Sequence, residues 1–225
     1  MSTGRLPAII FALTVHEAAH AWAALKCGDD TAARMGRITL NPLAHLDPLG
    51  AFCIAFFVIG WGKPVPFVER NLRNPRRDAM FIAAAGPASN LVLALIFGLL
   101  FRLTYHLSVT VNFQAEAAQR IVFFLSFLSA WSVYINLALC FFNLIPIFPL
   151  DGEKILIGLL PARQAYTFST FRQYGPMGLI LLIFLGGPII FGFIFTLGTP
   201  FSWLFSGATM NQMLAAIQVF YDALW

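Results

Sequence analysis

Apolar residues in this chain fall into long runs separated by short polar stretches, and the runs recur at the length of a membrane-crossing helix. Leu6 to Leu25 is the first, closed by Lys26, Gly28, Asp29 and Asp30. Ala79 to Phe101, Ile121 to Leu150 and Pro176 to Leu197 are three more. A spanning helix takes about 20 mostly apolar residues, so each of these qualifies. The run from Ala51 to Trp61 does not, because its 11 residues would rise only about 16 Å as a helix, half a bilayer. The next segment, Gly60-Trp61-Gly62-Lys63-Pro64-Val65-Pro66-Phe67, carries two prolines two residues apart and cannot be helical inside. It reads as a short re-entrant extended segment or β-hairpin near residues 60–68. Near the end, Met210, Met213, Leu214, Ile217, Phe220 and Leu224 recur at helical spacing with Asn211, Gln218 and Asp222 opposite, which suits an interfacial helix or a last packed span alike. The elements predict an all-α polytopic membrane protein of about five to six transmembrane helices. They leave no stretch for a separate soluble domain, so residues 1–225 read as one membrane-embedded domain.

Composition agrees. Of the 225 residues 59% are hydrophobic and 11% charged, with 24 Phe and a mean hydropathy of +0.78, whereas a soluble domain carries about 25% charged residues. Disorder, a coiled coil and a charged nucleic-acid binder are disfavoured; the lipid bilayer is the expected surrounding. Cys27, Cys53 and Cys140 are odd in number and far apart, so neither a disulfide framework nor a zinc knuckle is expected. Arg5 and the run after it resemble a signal peptide. Cleavage among Ala18 to Ala24 would destroy the most unusual motif in the chain, so the segment is kept.

Loop charges add an orientation. If 51–61 does not cross, loops 26–78 and 151–175 share one side, with Lys26, Arg34, Arg37, Lys63, Arg70, Arg73, Arg76, Arg77, Lys154, Arg163 and Arg172. The other side has Arg5, Arg102 and Arg120. The positive-inside rule places the first set in the cytoplasm of a multi-pass cell-membrane protein.

The sharpest chemical signal is His16-Glu17-Ala18-Ala19-His20 inside the first run. Residues four apart share a helix face, and two imidazoles so placed can bind one zinc ion. Glu17, after the first histidine, is then placed to act as general base on water. Two histidines and a glutamate in an apolar helix are penalised unless they have a role or a partner. A third ligand is needed, and Asp151, His45, Asp47 and Glu153 are the candidates. Position favours Asp151, which follows the proline-bounded turn that breaks the third long run; the same aspartate could instead cap the next helix. A transporter or channel with a histidine metal site, or a non-catalytic helix-binding scaffold, are the alternative functions.

HEAAH in the first run, Gly86-Pro87-Ala88-Ser89-Asn90 in a later one and Asn143-Leu144-Ile145-Pro146-Ile147-Phe148-Pro149-Leu150-Asp151-Gly152 closing another together resemble the site-2 protease family of intramembrane zinc metalloproteases. The likeness runs from residue 6 to about 155 and is to the short prokaryotic members built from the membrane core alone, without PDZ or CBS domains. It implies that the chain hydrolyses peptide bonds within or next to transmembrane segments of membrane-protein substrates. It implies one zinc ion per chain on His16, His20 and Asp151, with Glu17 as base. Asn143 would hold the substrate backbone or oxyanion, and Asn90 would lie near the same site. The segment carrying Lys63 and Val65 would be the edge on which an unwound substrate lies. Neither the substrate's identity nor the oligomeric state follows from the sequence.

Overall fold

The computed structural model describes residues 2–56, 60–111 and 115–224. The middle of the 51–61 run and Asn112 and Gln114 of the polar connection after the second span lie outside the described residues. The described helices are α1 (Ser2–Cys27), α2 (Thr31–Arg34), α3 (Pro48–Phe56), α4 (Pro75–Thr110), α5 (Glu116–Asn143), α6 (Asp151–Leu159), α7 (Ala162–Thr170), α8 (Gly175–Ser206) and α9 (Met210–Leu224). Among the described residues, four stretches are long and apolar enough to cross a membrane: Arg5–Cys27, Pro75–Thr110, Glu116–Asn143 and Ala162–Ser206. Chain punctuation accounts for several boundaries. Pro75 opens α4 at its first turn, where a missing N–H does no harm, and Gly207 closes α8 in the left-handed conformation with φ 76°, which glycine adopts without strain.

Helix α4 is the hub, packed on α1, α5, α6 and α8, while α5 also packs on α1, α8 and α9. The main core joins Ala94 and Phe101 of α4 to Phe127, Val133, Leu137 and Phe141 of α5, Ile190 and Ile194 of α8, and Met210, Met213, Ile217 and Phe220 of α9. The apolar face of α9 is thus buried against the bundle. Its 15 residues rise about 22 Å, short of the roughly 30 Å hydrocarbon core. Helix α8 has an opposite character: Phe184, Leu185 and Ile189 are 81%, 78% and 73% exposed, the surface a lipid-facing helix needs. Several buried hydroxyls within the helices are satisfied locally. Thr14, Thr104, Ser126 and Ser132 each donate to the carbonyl four residues back, which removes the penalty of an unpaired donor in lipid.

Residues 60–68 run extended without regular secondary structure, and the described residues contain no strand. The segment makes one antiparallel bridge, Leu46 to Gly62, with the Lys63 N–H donating to the His45 carbonyl at 2.7 Å. Two further ties hold it. The buried Arg37 guanidinium donates to the Lys63 carbonyl, and Lys154 of α6 lies 4.7 Å from the centre of the Phe67 ring. At its end Val68 donates its N–H to Asp29 at 2.8 Å. Asp29 is fully buried and also accepts from Asn71 Nδ2 at 2.8 Å and from the Thr31 hydroxyl at 2.6 Å.

Candidate metal centre

His16 and His20 sit one turn apart on α1, and both are buried. Counted back from Cys27 they lie about 16 and 10 Å along the helix from its loop end. Asp151 opens α6, and no side chain caps that helix, so the aspartate is free of the capping role. Its carboxylate instead points at the histidines: Oδ2 is 3.2 Å from His16 Nε2 and 3.3 Å from His20 Nε2. The two Nε2 atoms are 3.0 Å apart, and the three ligand atoms all lie within 4.8 Å of one another.

Two glycines permit this meeting. A Cβ on Gly86 would stand 2.4 Å from His20 Nε2 and 2.5 Å from His16 Cε1, so only glycine lets α4 lie against the pair. A Cβ on Gly152 would stand 2.3 Å from the Leu144 carbonyl oxygen and 2.5 Å from that of Ile145. Its absence lets the start of α6 dock on the end of α5, and this is what carries Asp151 inward.

The donor set fits a metal cation. His20 Nδ1 faces the Ile82 carbonyl at 2.7 Å, which can only accept, so its proton is on Nδ1 and Nε2 offers a lone pair. His16 Nδ1 faces Asn90 Oδ1 at 2.6 Å in the same way. Pro87, inside α4, cannot donate to the carbonyl of Ala83. Three lone-pair atoms therefore converge, and buried Asp151 Oδ2 has no hydrogen-bond donor. Such a cluster of acceptors repels itself without a cation among them, and two imidazoles with a carboxylate are ligands that suit zinc.

The other expected residues are placed as follows. Glu17 faces the extended segment: a Cβ on Gly62 would lie 3.2 Å from its Oε1. Burial weakens the charged form of Arg37, but the nearby Glu17 carboxylate acts the other way. Asn90 is fully buried behind His16, with its Oδ1 2.6 Å from His16 Nδ1 and its Nδ2 donating to Asn136 at 2.9 Å, so both ends of its amide are used there. Asn143 ends α5 and donates its Nδ2 to the Leu139 carbonyl at 3.0 Å. Lys63 is exposed and Val65 half-buried, both on the extended segment beside Glu17. The rejected third ligands have other partners. His45 is buried against the Thr39 carbonyl, Asp47 accepts from the Gly50 N–H, and Glu153 takes a bidentate pair from Arg172 at 2.8 and 3.0 Å.

Arg37, Asp29 and Asn136 escaped the sequence reading. The first two are charged loop residues like many others, and only Asn136, a polar residue within an apolar run, carried a signal.

Residues 5–186 match the family model described as peptidase family M50. The chain belongs to this family, the site-2 proteases. It is 34% identical over 218 residues to "Putative zinc metalloprotease YwhC" of Bacillus subtilis, covering 96% of this chain and 91% of that protein. It is 28% identical over 221 residues to "Putative zinc metalloprotease Rip2" of Mycobacterium tuberculosis, covering 96% of this chain and 78% of that one. A protein of the same name from Mycolicibacterium smegmatis is 28% identical over 179 residues, 77% of this chain and 64% of its own length. No solved structure matches. The chain is thus an intramembrane zinc metalloprotease, and neither a transporter nor a scaffold is supported.

Proposed function

We propose that residues 1–225 act as one membrane-embedded protease unit in which His16, His20 and Asp151 hold a single zinc ion and Glu17 is the general base. The convergence of two Nε2 lone pairs and one carboxylate oxygen, 3.0 to 3.3 Å apart, carries this reading. Zinc bound there supplies a Lewis acid for the scissile carbonyl and for water. Glu17, next to the first ligand and facing the 60–68 segment, removes a proton from water and later delivers it to the leaving amine.

The substrate is a transmembrane segment of another protein. A helix hides its amides in internal hydrogen bonds, so the segment must unwind before attack. Residues 62–66 offer an extended backbone on which it could be held, with Lys63 and Val65 at its surface. Their bridge to residues 45–46 uses one edge of that backbone. Asn143, at the end of α5 and eight residues before Asp151, is assigned to the substrate backbone. The concentration of eleven basic residues in the loops around the α1 C-terminus and α6 orients the centre toward the cytoplasmic side of a cell membrane. About five to six segments enter the bilayer if α3 dips in and α9 lies within it.

Metal analysis of the purified chain in detergent tests the ligand set. One zinc per chain is expected for the wild type and none for His16→Ala, His20→Ala or Asp151→Ala. Full zinc in Asp151→Ala would remove the third ligand and the reading with it.

A further inference from the structure

We propose that Asn136 of α5 is a positioning residue that sets the tautomer of His16 through Asn90, leaving His16 Nε2 free as a metal ligand. This rests on the assignment of His16 as a ligand. Asn136 hydrogen-bonds to Asn90 and Ser132 and lies outside the three sequence motifs of the site.

The argument is one of hydrogen-bond polarity. Asn136 Nδ2 lies 2.8 Å from the carbonyl oxygen of Ser132, one turn back on its own helix. A backbone carbonyl can only accept, so the amide of Asn136 must turn its NH2 group there and its oxygen away. That oxygen is 2.9 Å from the Asn90 amide and can also only accept. Asn90 therefore presents its NH2 group to Asn136 and its oxygen to His16 Nδ1, 2.6 Å away. The proton of neutral His16 is then held on Nδ1, and Nε2 carries a lone pair. Asn136 and Asn90 are 1% and 0% exposed, so bulk water cannot repair a reversed amide, and a flipped Asn136 would face like groups at both of its contacts.

The relay has something to oppose. His16 Nε2 is 3.2 Å from the Asp151 carboxylate, which on its own attracts a proton onto Nε2 and would turn the ligand into a donor. His20 needs no such chain, because the Ile82 carbonyl faces its Nδ1 directly at 2.7 Å. The same tautomer is thus set in one step for His20 and in three for His16. The buried pair Asn90–Asn136 could instead serve only to join α4 and α5, as polar residues do between membrane helices. That role affects stability and leaves zinc affinity alone.

Zinc affinity, measured by chelator competition in detergent, and melting of the zinc-free proteins separate the two. Asn136→Leu is expected to weaken zinc about 10- to 100-fold, the usual effect of losing a partner behind a ligand. Asn136→Asp is expected to stay close to wild type, since a carboxyl kept neutral by its apolar surroundings can donate to Ser132 and accept from Asn90 as the amide does. Because Asn136 acts through Asn90, Asn136→Leu is expected to add almost nothing in an Asn90→Leu background. Wild-type zinc affinity in Asn136→Leu together with a lowered melting temperature overturns the proposal, as do fully additive losses in the double variant. Wild-type protein gives a second readout independent of any variant's folding. In zinc-free, 15N-histidine-labelled protein, His16 is expected as the Nδ1–H tautomer, and an Nε2–H signal overturns the relay. If His16→Ala binds zinc like wild type, it is the ligand assignment that fails, and the relay loses its purpose with it.

Discussion

Gly86 and His20 approach so closely that a single methyl group on the glycine would lie 2.4 Å from the imidazole Nε2. The hub helix α4 and helix α1 are in contact through backbone on one side and the His16 and His20 rings on the other. Neither ring can swing aside, since His20 is tied to Ile82 and His16 to Asn90.

Gly86→Ala should therefore displace the ligands. Loss of zinc by at least tenfold in affinity is expected, with a destabilisation of about 1–3 kcal/mol from overpacking. Gly178→Ala, where an added Cβ meets nothing within 4 Å, is the control and should keep full zinc. Metal content and melting of the two purified variants check this.

Gly152→Ala strikes backbone, which cannot rotate away, at Leu144 and Ile145. The start of α6 should lift off α5 and take Asp151 with it. Zinc loss comparable to Asp151→Ala is the expected outcome, read by metal analysis.

Glu17→Gln preserves size and polarity, but its amide cannot accept the proton of water. Zinc content should be unchanged while cleavage of a membrane substrate in reconstituted vesicles falls by about 10²- to 10⁴-fold. Retained cleavage would exclude Glu17 as the base.

Asp29 ties the end of the extended segment to the end of α1. Burial alone would raise its pKa, but hydrogen bonds from Thr31, Asn71 and Val68 outweigh it and hold the carboxyl below its ordinary value. A folded pKa below the unfolded one, about 3.9, means that stability is present above that value and is lost as pH falls through the lower folded pKa. Asp29→Ala, which leaves buried donors unpaired, should cost about 1–3 kcal/mol at neutral pH. Melting curves from pH 7 down to 3 should show the gap between wild type and variant constant above about pH 5 and narrowing as acid protonates Asp29. A gap independent of pH down to 3 would contradict the ionised anchor.

Local pattern was enough to read much of this protein. Apolar runs marked α1, α4, α5 and α8 because lipid demands a continuous apolar surface and internal backbone hydrogen bonds, both properties of neighbouring residues. The four-residue spacing of His16 and His20 placed them on one face for the same local reason. The prolines at 64 and 66 exclude a helix there, but the antiparallel bridge of Gly62 to Leu46 is a pairing that no local rule selects. Asp151 was one of four third-ligand candidates by residue type and position. In the folded chain Asp151 lies against the histidines, while His45, Asp47 and Glu153 meet Thr39, Gly50 and Arg172. Gly86, Gly152 and Asn136 became meaningful only once α4, α5 and α6 had packed, and Arg37 and Asp29 only once the segment from Lys63 to Asn71 lay against them. Their roles are distances between chain-distant atoms, and a sequence specifies such distances only through the packed fold.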